Sequence, residues 1–261
     1  MTGSTDDNRR PPRLIPANDV LQAEFNDLEP GDVFIGRLRL KASEENLVTD
    51  LLERGIKLFP AALAQLSCRS KVFQAKIFSQ YMAPATETIH DLHELMTAVN
   101  QYQRRGLQQV VTKKDRAHAG MGINLWPSAE DVFNQASGGG LPFPFVIQPF
   151  HPDSLDIRVI IIDDYLEAYR RNNPDNFRNN LHYGGTREPA VLTGEQVDLC
   201  RKVMARGRYP YAHLDLMVSQ GATYLAEINL RGGIRGAEIT PAEYRRRIDA
   251  VHQRYLREQG L

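Results

Sequence analysis

The residues best suited to chemistry lie in Tyr224-Leu225-Ala226-Glu227-Ile228-Asn229, with Asp215 upstream in His213-Leu214-Asp215-Leu216-Met217. Both runs alternate apolar and polar residues, the pattern of half-buried strands. Ser219-Gln220-Gly221-Ala222 joins them as a short hairpin connection, and a loop of Gln220 to Ala222 sets Asp215 opposite Glu227. Asn229 and His213 then share their face, while Leu214, Leu216, Val218, Tyr224, Ala226 and Ile228 cover the other side. Two facing carboxylates repel unless a cation lies between them. Two carboxylates and an amide oxygen, with no thiol nearby, form a hard-oxygen set for Mg2+ or Mn2+. A solvated acidic strand face has the same pattern, so the rest of the chain must decide.

The surrounding elements read as an α+β chain. Its 261 residues are 42% hydrophobic and 25% charged, ordinary for a soluble globular protein. Lys+Arg and Asp+Glu both total 32, which gives no reason to expect nucleic acid or a membrane as partner. Cys68 and Cys200 lack metal or redox spacing and fit a reducing cytosol, and no apolar run is long enough to cross a bilayer. A cytoplasmic location is expected, with residues 1–13 as a disordered tail. Asp32 to Leu38 reads as a buried strand, Ser43 caps a helix that Gly55 ends, and Ile56 to Phe59 is a second strand. Helices are expected at about 70–81 and 89–105; the second places His90 and His93 one turn apart, by themselves a poor metal site.

Gln109 to Lys113 reads as a strand entering the loop Asp115 to Ile123, where Gly120 and Gly122 allow close backbone approach. Lys113, Arg116 and His118 beside it suit phosphate, although the segment is neither a P-loop nor a dinucleotide fingerprint. Taken alone, the segment reads more plainly as a hairpin turn with two glycines. Ser128 caps a helix through Phe133, and a strand from Pro144 stops at Pro149, where backbone groups of Gln148 and Phe150 suit a planar ligand such as adenine. Asp156–Ile162 and Tyr165–Arg171 flank the turn Asp163-Asp164, so Asp156 and Arg158 converge with Tyr169, Arg170 and Arg171. Arginines gathered in this way call for anions. The loop 176–185, rich in Asn and Arg, is not building a core and reads as functional, and Thr193 caps a helix through Met204.

Lys113 before its loop, Gln148-Pro149-Phe150, Asp156-Ile157-Arg158, Phe177-Arg178-Asn179-Asn180-Leu181-His182-Tyr183-Gly184-Gly185, Asp215 and Glu227-Ile228-Asn229 follow in that order. Together they resemble the ATP-grasp superfamily, closest to RimK-type ligases, which add glutamate to a protein C-terminus, and to glutathione-synthetase-like relatives. The resemblance covers about Ser67 to the C-terminus. It implies an ATP-grasp fold, in which two α+β subdomains, about 67–145 and 146–261, clasp ATP behind a truncated β-α-β segment at 14–66. It also implies that Lys71 and Lys113 contact the phosphates, the loop around Ala119 to Gly122, with Gly120 and Gly122, covers them, and Gln148, Pro149 and Phe150 hold adenine. Asp156 would meet the ribose region. Arg178, Asn179 and Asn180 would bind the nucleotide, Arg178, Asn180 and Arg158 would assist the chemistry, and Asp215, Glu227 and Asn229 would hold two Mg2+ (or Mn2+) ions.

The implied reaction is an ADP-forming carboxylate–amine ligation through an acylphosphate, on an amino acid, a peptide or a protein C-terminus. An ATP-binding regulatory module without turnover and a kinase-like phosphotransferase are the competing readings. Two departures stand out. Arg116 and His118 occupy a loop that relatives fill with glycines, and Leu230-Arg231-Gly232-Gly233-Ile234-Arg235-Gly236 stands where relatives place small residues and a proline. Arg231 or Arg235, with Arg170, is therefore expected to recognise an anionic substrate, against a plain Arg231–Glu238 salt bridge. The short N-terminal segment leaves room for a homodimer or a partner subunit to complete the site.

Overall fold

A computed structural model describes residues 10–117 and 120–261; expectations for residues 1–9, His118 and Ala119 lie outside the described residues. The first unit comprises β1 (Leu14–Ile15), α1 (Asn18–Ala23), β2 (Val33–Ile35), α2 (Leu47–Glu53) and β3 (Lys57–Phe59), with a parallel sheet in the order β1-β2-β3. Leu21, Val48 and Leu51 on its helices pack with Phe34 and Leu58 on its strands. β2 is shorter than the expected Asp32–Leu38, because Gly36 at φ +114 breaks it. Two side chains then pin the exit. Gln65 accepts from Leu38 N at 3.0 Å and donates to Gly36 O at 2.8 Å, while Asn18 accepts from Arg39 N at 2.7 Å and donates to Arg37 O at 3.0 Å. Ala42–Glu44 forms a separate 3-10 turn, so α2 starts at Leu47 instead of Ser43.

The second unit opens with α3 (Ala62–Ser67) and α4 (Lys71–Ile77). It continues with β4 (Glu87–Ile89), α5 (Leu92–Arg104), β5 (Val110–Lys114), β6 (Ile123–Trp126), α6 (Ala129–Ser137) and β7 (Phe145–Pro149). Its sheet is antiparallel, in the order β4-β7-β5-β6, and buries Ile147 and Phe145 against Leu95 and Tyr102 of α5 and Val132 of α6. Ser70 caps α4 by accepting from Phe73 N, but the helix stops at Ile77 and a 3-10 turn, Ser79–Tyr81, follows, so the expected 70–81 helix is two pieces. Ile89 belongs to β4, and Asp91 caps α5 by accepting from Glu94 N at 2.8 Å. His90 therefore precedes the helix and faces Glu94 at 2.9 Å instead of His93.

The third unit comprises β8 (Leu155–Ile162), β9 (Tyr165–Asn172), β10 (Thr186–Pro189), α7 (Gly194–Gly207), β11 (Tyr211–Ser219), β12 (Ala222–Asn229) and α8 (Pro241–Glu258). Its antiparallel sheet runs β10-β9-β8-β11-β12, and its core joins Val159, Ile160, Leu214 and Ile228 to Val203 of α7 and Ile248 and Val251 of α8. The turn between β11 and β12 is Gln220-Gly221, at φ +50 and +78, which sets Ser219 opposite Ala222. That register alone would put Asp215 opposite Ala226. A β-bulge beside Asp215 restores the pairing of Asp215 with Glu227 and changes the strand's facing, so Leu225 is buried in the core where Tyr224 was expected.

Buried polar contacts tie the units together. Gln74 of α4 donates to Ile228 O at 2.9 Å and accepts from Ile228 N at 3.0 Å. Ser67 Oγ lies 2.7 Å from the Tyr209 hydroxyl, and Phe59 stacks on Tyr255 with centroids 4.1 Å apart. Among the described residues no helix is long and apolar enough to cross a membrane.

Candidate active site

A cleft of about 500 Å³ opens between the second and third sheets. The register of the β8–β9 hairpin builds its floor. With Ile162 opposite Tyr165 across Asp163-Asp164, Asp156 falls opposite Arg171 and Ile157 opposite Arg170. Arg171 Nε donates to Asp156 Oδ1 at 2.7 Å, and its Nη2 lies 2.6 Å from the same oxygen and 3.1 Å from Asp215 Oδ1. Arg158 Nε approaches the same Asp215 oxygen at 2.7 Å, as an ion pair without hydrogen-bond alignment. Burial pushes the Asp156 carboxyl up to about 6 in spite of Arg171. Burial also acts upward on Asp215, but Arg158 and Arg171 outweigh it and hold that carboxyl below its usual range.

On β12, Asn229 Nδ2 donates to Glu227 Oε1 at 3.1 Å, and Lys71 Nζ lies 3.4 Å from the same oxygen. Lys71 also donates to Ala117 O at 2.5 Å, and Lys113 donates to Ala226 O at 3.3 Å from the facing strand β5. Burial pulls the Lys113 amine below its usual value, with Glu227 working in the opposite sense. Asp215, Glu227 and Asn229 thus line one cleft with Lys113, and Lys71 reaches Glu227 from α4. No group of three His, Cys, Asp or Glu side chains able to hold a metal occurs among the described residues, so the Asn229 oxygen is needed to make up a third donor.

The loop after β9 leans over this floor. Arg178 donates to Ile123 O, with its guanidinium 4.2 Å from the Phe177 ring centroid and 5.1 Å from that of Tyr183. Gly120 sits beneath: a Cβ there would lie 2.7 Å from Asn180 Nδ2 and 3.0 Å from Tyr183, so only glycine lets the two loops close. Gly122 lies outside the cleft lining, and its Cβ would strike Ala117 and Lys114. Asn179 and Asn180 line the cleft beside Arg178. Arg116 is turned away, bound to Glu45 through both carboxylate oxygens at 2.6 and 2.8 Å.

Val111, Ile123, Phe150, Phe177, Leu216 and Met217 give the cleft an apolar slot, with Gln148 opposite Val111 in the β5–β7 pairing. The expected backbone hold on adenine is narrowed here. Phe150 N–H donates to Gln109 O at 2.9 Å, and Pro149 has no N–H and lies outside the lining. Phe177, which opens the 177–185 motif, meets Phe150 edge-on at 6.2 Å, and His151, which had no sequence signal, lines the same cleft.

Among the arginines, Arg170 is a correction: it is exposed on the opposite face of β9, beside Glu188, because its neighbour Arg171 takes the cleft face. Arg171 could have been found by counting outward from the two-residue turn. Arg231 lines the cleft, whereas Arg235 does not; its carbonyl accepts from the Tyr169 hydroxyl at 3.3 Å. The Arg231–Glu238 salt bridge does not occur among the described residues, where Glu238 N instead donates to Glu167 Oε1 at 2.6 Å.

Solved structures of ATP-grasp ligases share this architecture. D-alanine–D-alanine ligase from Bacillus anthracis superposes with a TM-score of 0.60 at 17% identity, over 94% of this chain and 85% of that one. The chain adopts the expected ATP-grasp fold. The model of the RimK-like ATP-grasp domain matches residues 66–244, and the chain belongs to that family. A probable alpha-L-glutamate ligase of Xanthomonas campestris is 34% identical over 104 residues, 38% of this chain and 35% of that protein. A ribosomal protein bS6–L-glutamate ligase of Shigella boydii is 24% identical over 164 residues, 60% of this chain and 53% of that protein. The chain thus spans between 29% and 53% of the length of the curated relatives it matches.

Proposed function

We propose that this protein is an ADP-forming, Mg-dependent ligase that activates a carboxylate with ATP and joins it to an amine. The observation that carries the reading is the pairing of Asp215 with Glu227, with Asn229 alongside, in a cleft shared with Lys113 and the Arg178–Asn180 loop. The donor set fits a hard cation: the two carboxylates face across strands, and the cations that balance them, Lys71 and Arg158, belong to the same site. Asp215, Glu227 and Asn229 would hold Mg2+, which when bound offsets phosphate charge.

In this reading the chain divides into a segment at 14–66 and subdomains at 67–145 and 146–261. The apolar slot takes adenine, Gln148 orients it, and Asp156, fixed by Arg171, faces the ribose. Lys71 and Lys113 hold the phosphates, and Arg178 with Asn180 closes over them against the Gly120 turn. A substrate carboxylate oxygen bonds to the γ-phosphorus as the bond to ADP breaks, with Arg158 and Arg178 offsetting the charge that gathers there. An amine nitrogen then bonds to the acyl carbon, phosphate leaves, and the amine proton passes to solvent. No covalent nucleophile of the protein is needed, in keeping with Cys68 and Cys200 both being buried.

The family names of the glutamate ligases support an amino acid as one substrate. The test is incubation with ATP and Mg2+ and pools of amino acids, small peptides and sugars, with ADP, phosphate and products measured. ADP and phosphate in equal amounts with a new amide support the ligase. ADP with a phosphorylated product and no free phosphate supports a kinase, and nucleotide binding without turnover supports a regulatory module.

A further inference from the structure

The first unit grips the loop between β5 and β6 by a carboxylate. Glu45, just before α2, accepts from Arg116 Nη1 at 2.6 Å and Nη2 at 2.8 Å, and from Arg69 Nε at 2.7 Å. Arg69 also donates to Leu40 O, which ties the cluster to the backbone of the same unit. A lone exposed ion pair contributes little. Glu45 differs, because its side chain is only 19% exposed and two of its bonds form the bidentate fork that fixes orientation. Arg116 first, and then Arg69, hold its carboxyl below the usual range against the effect of burial.

The backbone of Arg116 calls for such an anchor. It lies at φ +58, a left-handed conformation that disfavours any residue with a Cβ, whereas Gly120 takes its φ of +77 without that cost. The bonds to Glu45 offset the strain. On either side of Arg116 the loop is tied to the first turn of α4. Asp115 Oδ1 accepts from Ser70 Oγ at 2.8 Å and from Val72 N at 3.2 Å, and Ala117 O accepts from Lys71 Nζ at 2.5 Å. Three consecutive loop residues are thus held by Glu45 and by α4. Lys71 is one of the ties, and its Nζ also lies 3.4 Å from Glu227. Contacts therefore run from the first unit, through Arg116 and its neighbours, to a lysine at the cleft.

We propose that Glu45 is a positioning residue for nucleotide: through Arg116 it latches the β5–β6 loop over the phosphate end of the cleft, so the first unit sets how tightly and how long nucleotide is held. The proposal rests on the reading of this loop as the cover of the phosphates. All the contacts lie within the chain and need no nucleotide to form. A loop ordered before binding has little entropy left to lose when nucleotide arrives. A latched cover must also be released before ADP departs, which slows its exit.

The test measures, on the full chain, amide exchange of a peptide containing Arg116, binding of ADP with Mg2+ by calorimetry, and release of a fluorescent ADP analogue by stopped flow. Glu45→Gln and Arg116→Gln should each speed exchange of that peptide in the protein without nucleotide. Each should weaken ADP binding and hasten release of the analogue by about 5-fold or more. The double variant should lose no more than the larger single loss, because both changes break one contact. Arg116→Lys keeps the charge without the fork and should recover part of the affinity. Glu44→Gln, one residue away, should change none of these. The latch is overturned if both glutamine variants bind ADP as the wild type does, even where exchange or the urea midpoint changes. A wild-type chain that binds no ADP would overturn the latch and the ligase reading together. Weakened ADP binding in the variants, with no turnover by the wild type, would sink the ligase reading and leave the latch standing. Turnover with ADP affinity unchanged in both variants would do the reverse.

Discussion

Arg171 sits between Asp156 and Asp215 at 2.6 and 3.1 Å, with its side chain only 6% exposed. Burial would lower its pKa, but the two carboxylates outweigh that and raise it. Replacing it by Met leaves two buried carboxylates short of a cation, and the expected loss is about 3–5 kcal/mol of stability in urea unfolding. Glu227 differs, because it borders the open cleft. Glu227→Gln should cut ATP turnover at least about 100-fold and leave the urea midpoint nearly unchanged; retained turnover would remove the hairpin from the mechanism. His252 gives a pH signature. Burial, helped by Arg231, lowers its pKa to about 4 in the folded chain, where it contacts the Tyr211 hydroxyl at 3.0 Å. Between pH about 6.5 and 4 the unfolded chain binds a proton that the folded chain refuses. The His252 contribution is therefore complete above pH 6.5 and is lost at about 1.4 kcal/mol per pH unit as pH falls. His252→Gln should remove that part of the slope of stability against pH.

The β11–β12 hairpin acts as one element because its turn and its bulge compensate. The two-residue turn shifts the register by one, and the extra residue near Ala226 shifts it back, so Glu227 and Asn229 return to the cleft. Deleting Ala226 should realign the strand, pair Asp215 with Glu227 without the bulge, and withdraw the carbonyl that Lys113 uses. Loss of ATP turnover with strand content retained by circular dichroism is the expected outcome. The turn itself carries strain, since Gln220 is at φ +50. Gln220→Asn should raise stability by about 0.5–1 kcal/mol, read from the urea midpoint, because Asn tolerates that conformation and Asn-Gly suits the turn.

At the scale of the whole molecule, the cleft exists because separate cores are joined by a few polar contacts. Gln74 is central among them, since its amide satisfies both backbone groups of Ile228 from another unit. Gln74→Met would leave a buried N–H and C=O unpaired, and about 3 kcal/mol of stability should be lost. The same change frees α4, whose first residue, Lys71, reaches Glu227, so the KM for ATP should rise along with the loss. The helical caps at Ser70, Thr193 and Ser128, the glycine end of α2 and the Asp163-Asp164 hairpin could all be read from local sequence, since each is a short-range hydrogen bond or a turn requirement. So could the order of motifs that led to the ATP-grasp fold, and the facing of Asp215 with Glu227.

Counting across the Asp163-Asp164 turn sets Arg171 opposite Asp156, but the chain alone did not determine which face of that sheet borders the cleft, and so which of Arg170 and Arg171 enters it. Nor did it determine the bulge beside Asp215, nor the commitment of the Phe150 amide to Gln109. Arg37 had no local signal, because its place in the cleft lining comes from a loop pinned by Asn18 and Gln65, residues 19 and 28 positions away in the sequence. Local sequence specified what short-range sterics and hydrogen bonding can enforce. Tertiary structure decided which of several like charges share a cavity, because that depends on register and on contacts between distant segments.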